Sequence, residues 1–431
     1  IGTRLAIFTP MPFLKIIIID EEHDTSFKQQ DRLRYHARDV AMVRAKNLNI
    51  PIVLGTATPS LESWHNATRI NNKYNFLKLT KRAVKNSSLP EIKTVLVNEK
   101  TKHGISRILV DSINARLKRR EQSLIFINRR GFAPVLFCSL CSWSAECKKC
   151  STKLVVHRQT KRLKCHHCGH NQNMINKCPN CNNLNLHPLG SGTQKIEEVL
   201  QNFFPTASIL RVDRDNTRSK QSLSSLYKRM NNRDIDILVG TQMLAKGHDF
   251  PFLTLVGVLD ADNALYSPDF RAPEKLFSQL MQVSGRAGRS NIKGEVLIQT
   301  AFPNNPVFDG LKKHNYEIFV RNLLSERKQM NLPPFGFTAI LRVEAKYLKY
   351  AEEFVSNAAK YAESLTKTVT VYDPVRPSIE RVKGFERFQL FVQADKRLDL
   401  QNLLREWVIY LRGSPFTNRV KWSLDVDPIE F

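Results

Sequence analysis

Four consecutive isoleucines, residues 16–19, run directly into Asp20-Glu21-Glu22-His23. An unbroken β-branched run of this length is the pattern of a strand buried on both faces of a parallel sheet. Open α/β sheets bind their ligands beyond the carboxyl ends of such strands, where this acidic group falls. Magnesium takes hard oxygen ligands, and phosphoryl transfer to water needs a group that orients or deprotonates the water. Asp20 is therefore a candidate Mg²⁺ ligand and Glu21 a candidate base. An acidic turn closing a core strand would read the same, so other parts of the chain have to decide.

A second apolar run, Pro51-Ile-Val-Leu, ends in Gly55-Thr-Ala-Thr-Pro-Ser60. The hydroxyls of Thr56 and Thr58 suit carboxylates or phosphates, and Pro59 suits the start of a helix. Between the two runs Phe27 and Tyr35 are interleaved with Arg32, Arg34 and Arg38. Aromatic rings and cations in alternation fit base stacking with phosphate contact. An ordinary basic loop is the competing reading.

All eight cysteines fall in CxxC pairs: Cys138/Cys141, Cys147/Cys150, Cys165/Cys168 and Cys178/Cys181. Two such turns complete a Zn²⁺ tetrahedron, so eight thiols predict two closed structural zinc sites. Four pairs can be shared between two ions in three ways. The favoured one is nested, with Cys138, Cys141, Cys178 and Cys181 on one ion and Cys147, Cys150, Cys165 and Cys168 on the other. Disulfides belong to exported chains, and no export signal is visible.

At 431 residues there is room for several domains. With 66 Lys and Arg against 40 Asp and Glu, the net charge of +26 favours a polyanionic partner, nucleic acid first. No apolar stretch reaches the roughly 18 residues of a membrane span, so no membrane partner and a cytoplasmic location are expected.

The expected organisation is α/β, with short parallel-sheet strands alternating with helices. Residues 1–85 read as strand, helix, strand, the later part of a first lobe. Residues 86–137 read as a basic linker and the start of a second lobe, whose strand at 123–128 ends in Arg129-Arg130-Gly131-Phe132. Residues 138–182 are the two-zinc insert. Residues 183–302 complete the second lobe, with strands at 208–212, 236–239, 253–259 and 295–299. Its motifs are Val239-Gly-Thr241-Gln-Met-Leu-Ala-Lys-Gly-His-Asp249 and Gln282-Val-Ser-Gly-Arg286-Ala-Gly-Arg289. Guanidiniums spaced like Arg286 and Arg289 suit the developing charge on a γ-phosphate. Residues 303–431 are a connector, helical over 315–330, and an α+β domain in the order β-α-β-β-α-β, the split βαβ pattern.

The motifs IIIIDEEH, GTATPS, FINRRGF, four CxxC pairs, VGTQMLAKGHDFP and QVSGRAGR occur in one order, and the chain closes on KWSLDVDP. Together they resemble the primosomal protein N-prime family, the replication-restart DNA helicases of superfamily 2, over essentially the whole chain. The resemblance implies two RecA-like lobes, the first incomplete, and a monomeric 3′-to-5′ helicase driven by ATP and Mg²⁺. It implies forked DNA as substrate, with primosome proteins and single-stranded DNA-binding protein as partners. It assigns Asp20 and Glu21 to Mg²⁺ and water, and Gln282, Arg286 and Arg289 to γ-phosphate sensing. His23, Thr56 and Thr58 would couple nucleotide to DNA. It places Thr3 and Arg4 on DNA, and the interleaved loop and lobe motifs extend that set to Phe27, Tyr35, Arg38, Arg130 and Thr241. The family nests its zinc ligands.

One departure stands out. The phosphate-cradling GxxxxGK[ST] of such motors does not occur in the chain. In the family it precedes the Gly2-Thr3-Arg4 motif, so the chain, opening with Ile1, is expected to be a fragment or natural truncation of an active helicase. The second reading is a non-catalytic DNA-binding primosome scaffold.

Overall fold

The structure is a computed structural model. It describes residues 1–80, 88–97, 104–128, 135–138, 140–141, 143–149, 153–157, 162–165, 168, 170–184, 186–189, 193–212, 220–241, 250–265, 269–288 and 292–430. Two compact units are present. One combines Ile1–Phe76, Val135–His187 and Leu323–Phe431, and the other combines Leu77–Pro134 with Pro188–Asn322.

In chain order the first unit begins with β1 (Ile17–Asp20), α1 (Ala37–Leu48), β2 (Ile52–Gly55) and α2 (Leu61–Thr68). The second unit opens with β3 (Glu91–Leu96), α3 (Arg107–Lys118) and β4 (Gln122–Ile127). The cysteine-bearing insert is built on β5 (Val135–Cys138), β6 (Val155–His157), β7 (Arg162–Lys164), β8 (Asn171–Asn173) and β9 (Leu186–Leu189). Then follow α4 (Thr193–Phe203), β10 (Ile209–Val212), α5 (Lys220–Asn231), β11 (Ile237–Gly240), β12 (Leu253–Leu259), α6 (Ala272–Ser284), β13 (Glu295–Thr300) and α7 (Pro306–Lys312). After α8 (Tyr316–Gln329) come β14 (Phe337–Ala345), α9 (Leu348–Leu365), β15 (Val369–Val371), β16 (Arg381–Val382), β17 (Phe385–Ala394), α10 (Arg397–Gly413) and β18 (Val420–Val426).

The second unit is a six-stranded sheet in the order β10-β11-β4-β12-β13-β3, parallel throughout. Its central strands β4 and β12 are buried along their whole length, as continuous apolar runs require. Leu109 and Ile113 of α3 and Ile196, Val199 and Leu200 of α4 close a core with Ile125, Ile127, Ile237, Val239 and Leu255. The helix expected to follow the basic linker is α3, but β3, within that linker, is a correction. It is an edge strand whose side chains alternate between exposed and covered, and that alternation among Lys and Glu hides it in the sequence. α7, inside the expected connector, is a second correction; Asn305 caps it through its Oδ1 and Pro306 occupies its first turn.

The strand expected to be buried on both faces is not. β1 pairs in parallel with β2 alone. Ile19 is buried, but Ile16 is 46% and Ile18 66% exposed, as is Val53 of β2 at 43%. Among the described residues nothing covers that face.

The C-terminal domain is an antiparallel sheet in the order β15-β17-β14-β18, with β16 paired to β17. α9 and α10 cover one face: Phe354, Val355 and Ala358 meet Leu400, Leu403 and Trp407, whose Nε1 donates to the Ala358 carbonyl at 2.9 Å. The insert, although continuous in sequence with the second lobe, packs within the first unit. Gly384 N–H, at the β16–β17 turn, donates to the Lys149 carbonyl at 2.6 Å, and Val382 packs on the insert's core.

Candidate nucleotide, metal and nucleic-acid sites

The register of β1 on β2 sets Asp20 opposite Gly55, so the acidic turn and the threonine turn lie side by side. Asp20 is exposed, and its Oδ1 accepts the Glu21 N–H at 3.0 Å. Glu21 has φ +51, a left-handed conformation rare for a non-glycine residue and concentrated at functional sites. His23 Nδ1 lies 2.7 Å from Thr56 Oγ1 and 3.5 Å from Glu21 Oε2, and Thr56 Oγ1 accepts the Thr58 N–H at 3.0 Å. Carboxylate, imidazole and threonine turn therefore form one chain of contacts.

Glu22 does something the sequence did not announce. It is 1% exposed and accepts from Ser60 N (2.6 Å), Ser60 Oγ (3.2 Å), Ser63 Oγ (2.9 Å) and Arg38 Nη1 (2.9 Å). It thus fastens the threonine turn and the start of α2, whose N-cap is Ser60 rather than Pro59. The Ser60-x-x-Ser63 spacing was the available signal. Arg38 is consequently a correction: expected on DNA, it lies inside this network, bonded also to Asp39 at 3.1 Å. Burial opposes its charge most strongly, but Glu22, Asp39 and Glu62 together outweigh it and raise its pKa.

Arg4 likewise braces the chain, its Nη1 donating to the carbonyls of Ser26 (2.9 Å) and Lys28 (3.1 Å), while Thr3 is exposed. Phe27 and Tyr35 are half-buried, and Tyr35 meets Phe8 edge-on at 5.0 Å. Lys28 was missed entirely. It is 3% exposed and forms an ion pair at 2.9 Å with Asp425, itself 1% exposed, and donates to the Val426 carbonyl at 2.6 Å. Arg342 completes the cluster at 3.0 Å from Asp425. The closing KWSLDVDP motif thus holds the interleaved loop.

In the second unit Gln282 sits on the last turn of α6 and Arg286 is buried just beyond it. Gly288 (φ +70) donates to the Leu253 carbonyl at 3.0 Å, and a Cβ there would fall 2.3 Å from Gly294 N. Thr241 follows β11, half-buried. Arg130, Arg289 and residues 242–249 lie outside the described residues.

The sulfurs fall into two groups, Cys138/Cys141/Cys178/Cys181 and Cys147/Cys165/Cys168, with Cys150 outside the described residues. Sγ separations of 3.5 Å (Cys138–Cys181), 3.6 Å (Cys141–Cys178) and 3.6 Å (Cys147–Cys168) suit the edges of a tetrahedron with Zn–S of about 2.3 Å. The Cys141 N–H directed at Cys138 Sγ pushes that thiol down to about 6, favouring the thiolate a metal needs. Of the three possible sharings, only the nested one matches these groups.

A model of the PriA DNA helicase Cys-rich region (CRR) domain matches residues 147–172. The Helicase conserved C-terminal domain matches residues 162–291, and the Primosomal protein N C-terminal domain residues 328–429. Replication restart protein PriA of Haemophilus influenzae is 42% identical over 430 residues, covering 99% of this chain and 58% of that one. The chain belongs to the PriA family. The PriA of Rickettsia prowazekii is 39% identical, covering 100% of this chain and 66% of that one, and that of Bacillus subtilis 36%, covering 99% and 53%. The chain thus spans roughly three-fifths of the length of these PriA relatives. The inner group, Cys147, Cys165 and Cys168, lies within the matched Cys-rich region, and both groups together support zinc binding.

Proposed function

We propose that this chain is motor machinery of an ATP-dependent 3′-to-5′ DNA helicase of replication restart, acting at forked DNA. Asp20 would hold Mg²⁺ through its exposed carboxylate, and Glu21 would orient the attacking water. Gln282, Arg286 and Arg289 would contact the γ-phosphate, and ATP with Mg²⁺ would supply the phosphoryl group transferred to water, with ADP as the leaving group. Thr3, Phe27, Tyr35, Arg130 and Thr241 remain the proposed DNA contacts, with Arg4 acting through the loop it braces. Primosome proteins and single-stranded DNA-binding protein are the proposed partners of a cytoplasmic monomer carrying two zinc ions.

The observation that carries the reading is the contact chain Glu21–His23–Thr56–Thr58. It joins a strained acidic turn to the threonine turn of the neighbouring strand, so a change at one reaches the other. The test measures DNA-stimulated ATP turnover and unwinding in the chain as it stands and in a protein of the relatives' full length. Glu21→Gln in the longer protein should reduce turnover at least about 100-fold while DNA affinity stays within about twofold. Near-normal turnover would reject the role of Glu21. Turnover absent from both lengths would favour the scaffold reading.

A further inference from the structure

On the sheet face of the C-terminal domain that its helices leave open lies a cavity of about 380 Å³, lined among others by Arg34, Arg342, Arg387, Gln30 and Gln389. Its roof is the loop that starts at Lys28. That loop is pinned at its base by the Lys28–His36 bridge and by Gln29 N–H donating to the Tyr35 carbonyl at 2.8 Å. Two of the guanidiniums are already held: Arg342 by Asp425 at 3.0 Å and the Glu430 carbonyl at 2.6 Å, and Arg387 by Glu344 at 3.3 Å and the Ile379 carbonyl at 3.1 Å. Arg34 differs. Its Nε is enclosed without a hydrogen-bond partner, and burial lowers its pKa. The nearest large counter-charge, Asp425, is already engaged by Lys28 and Arg342. Lys28, Arg34, Arg342 and Arg387 stand against Asp31, Asp425, Glu344 and Glu430, so the charges balance while three of the four cations are guanidiniums.

A buried Nε–H without an acceptor is costly unless something supplies one, even where the rest of the side chain is half-exposed as at Arg34. Planar forks converging from a loop and two strands match the oxygens of a phosphate better than a lone carboxylate. We propose that Arg34, Arg342 and Arg387 form a binding site for one phosphate group, either of a nucleic-acid strand or of a free phosphate. The strand alternative rests on the DNA-binding reading above; the free-phosphate alternative does not. Occupancy would add a second tie between the loop and the C-terminal sheet, beside the Lys28–Asp425 pair.

Arg34→Ala is the informative variant, because its buried Nε has no hydrogen-bond partner to lose among the described residues. The full chain is melted in inorganic phosphate and in chloride at matched ionic strength. Binding of a fluorescent oligothymidylate is followed across NaCl concentrations. Either of two results supports the site: a phosphate-dependent rise in Tm that Arg34→Ala abolishes, or a salt slope that Arg34→Ala lowers by about one. The first alone identifies a small anion, the second alone a strand phosphate. Arg34→Lys, which keeps charge without the fork, should restore only part of either effect. Arg387→Gln serves as the second variant. Wild-type protein with no phosphate-dependent Tm change, together with an unchanged slope in Arg34→Ala and Arg387→Gln, overturns the proposal. ATP turnover does not enter the readout, so its failure leaves this result separate.

Discussion

Adjacent carboxylates acquired opposite environments through one dihedral angle. Glu21 sits at φ +51, which turns the chain so that Glu22 enters the interior instead of alternating outward. Composition cannot show which of two neighbours turns inward, whereas the acidic cluster at that strand end was legible. Long-range partners were illegible for the same reason: nothing near Lys28 names Asp425, 397 positions later. That pair gives a sharp expectation. Lys28→Met removes one of the two cations on buried Asp425, leaving Arg342, and should cost about 1.5–3 kcal/mol in urea unfolding of the first unit. The double change Lys28→Met/Asp425→Asn should recover part of that loss. A single-variant cost within about 0.5 kcal/mol would mean that Arg342 alone compensates Asp425. His36 gives a second. Burial first, and then Arg38 and Lys28, hold its pKa at about 4 against the opposing pull of Asp39 and Glu62. The unfolded chain therefore takes up a proton near pH 6.5 that the folded state refuses until about 4. Stability is intact above pH 6.5 and falls as the pH drops through that window, by up to about 3 kcal/mol. His36→Gln should flatten the urea midpoint between those pH values, and an unchanged acid limb would show that His36 is protonated in the fold.

Elements were legible where one strong pattern recurs. β4 and β12 lie where their apolar runs put them, because a central strand has a single environment, and α9 where its helical period puts it, because one face is covered by the sheet. β1 has the sequence of a central strand but an exposed face with Ile16 and Ile18, so the pattern records a neighbour that the described residues do not supply. β3 is the converse, an edge strand with too little apolar character to stand out. The turn after α6 shows how an element end can be fixed by backbone alone. Gly288 and Gly294 approach so closely that no side chain fits, and this holds the segment carrying Arg286 against the end of β12. Gly288→Ala adds a left-handed penalty of about 1–2 kcal/mol to a backbone clash, so a loss of at least about 2 kcal/mol in the second unit's unfolding is expected. Full stability in that variant would require the Gly288–Gly294 approach to be looser than it is here.

At the scale of the molecule, sequence order and spatial grouping disagree at the insert. Its cysteines interrupt the second lobe's sequence, yet its core of Leu136, Ala145, Leu154, Val156 and Leu163, with Trp143 against it, belongs to the first unit with the C-terminal domain. The CxxC spacing revealed the ligands but could not reveal that Lys149 and Val382 would carry the insert onto β16 and the turn after it. So small a core cannot hold five short strands without metal, because closed zinc sites contribute folding energy directly. Metal removal should therefore act unevenly. Fresh protein should contain about two zinc ions per chain, and Cys147→Ser about one. Chelation should strip hydrogen-exchange protection from residues 135–187 and shift Trp143 fluorescence toward that of exposed indole. The six-stranded sheet of the other unit should keep its protection, since the strands that pair within it carry no ligand. Elemental analysis below one zinc per chain, or simultaneous loss of protection in both units, would place the metal's contribution elsewhere.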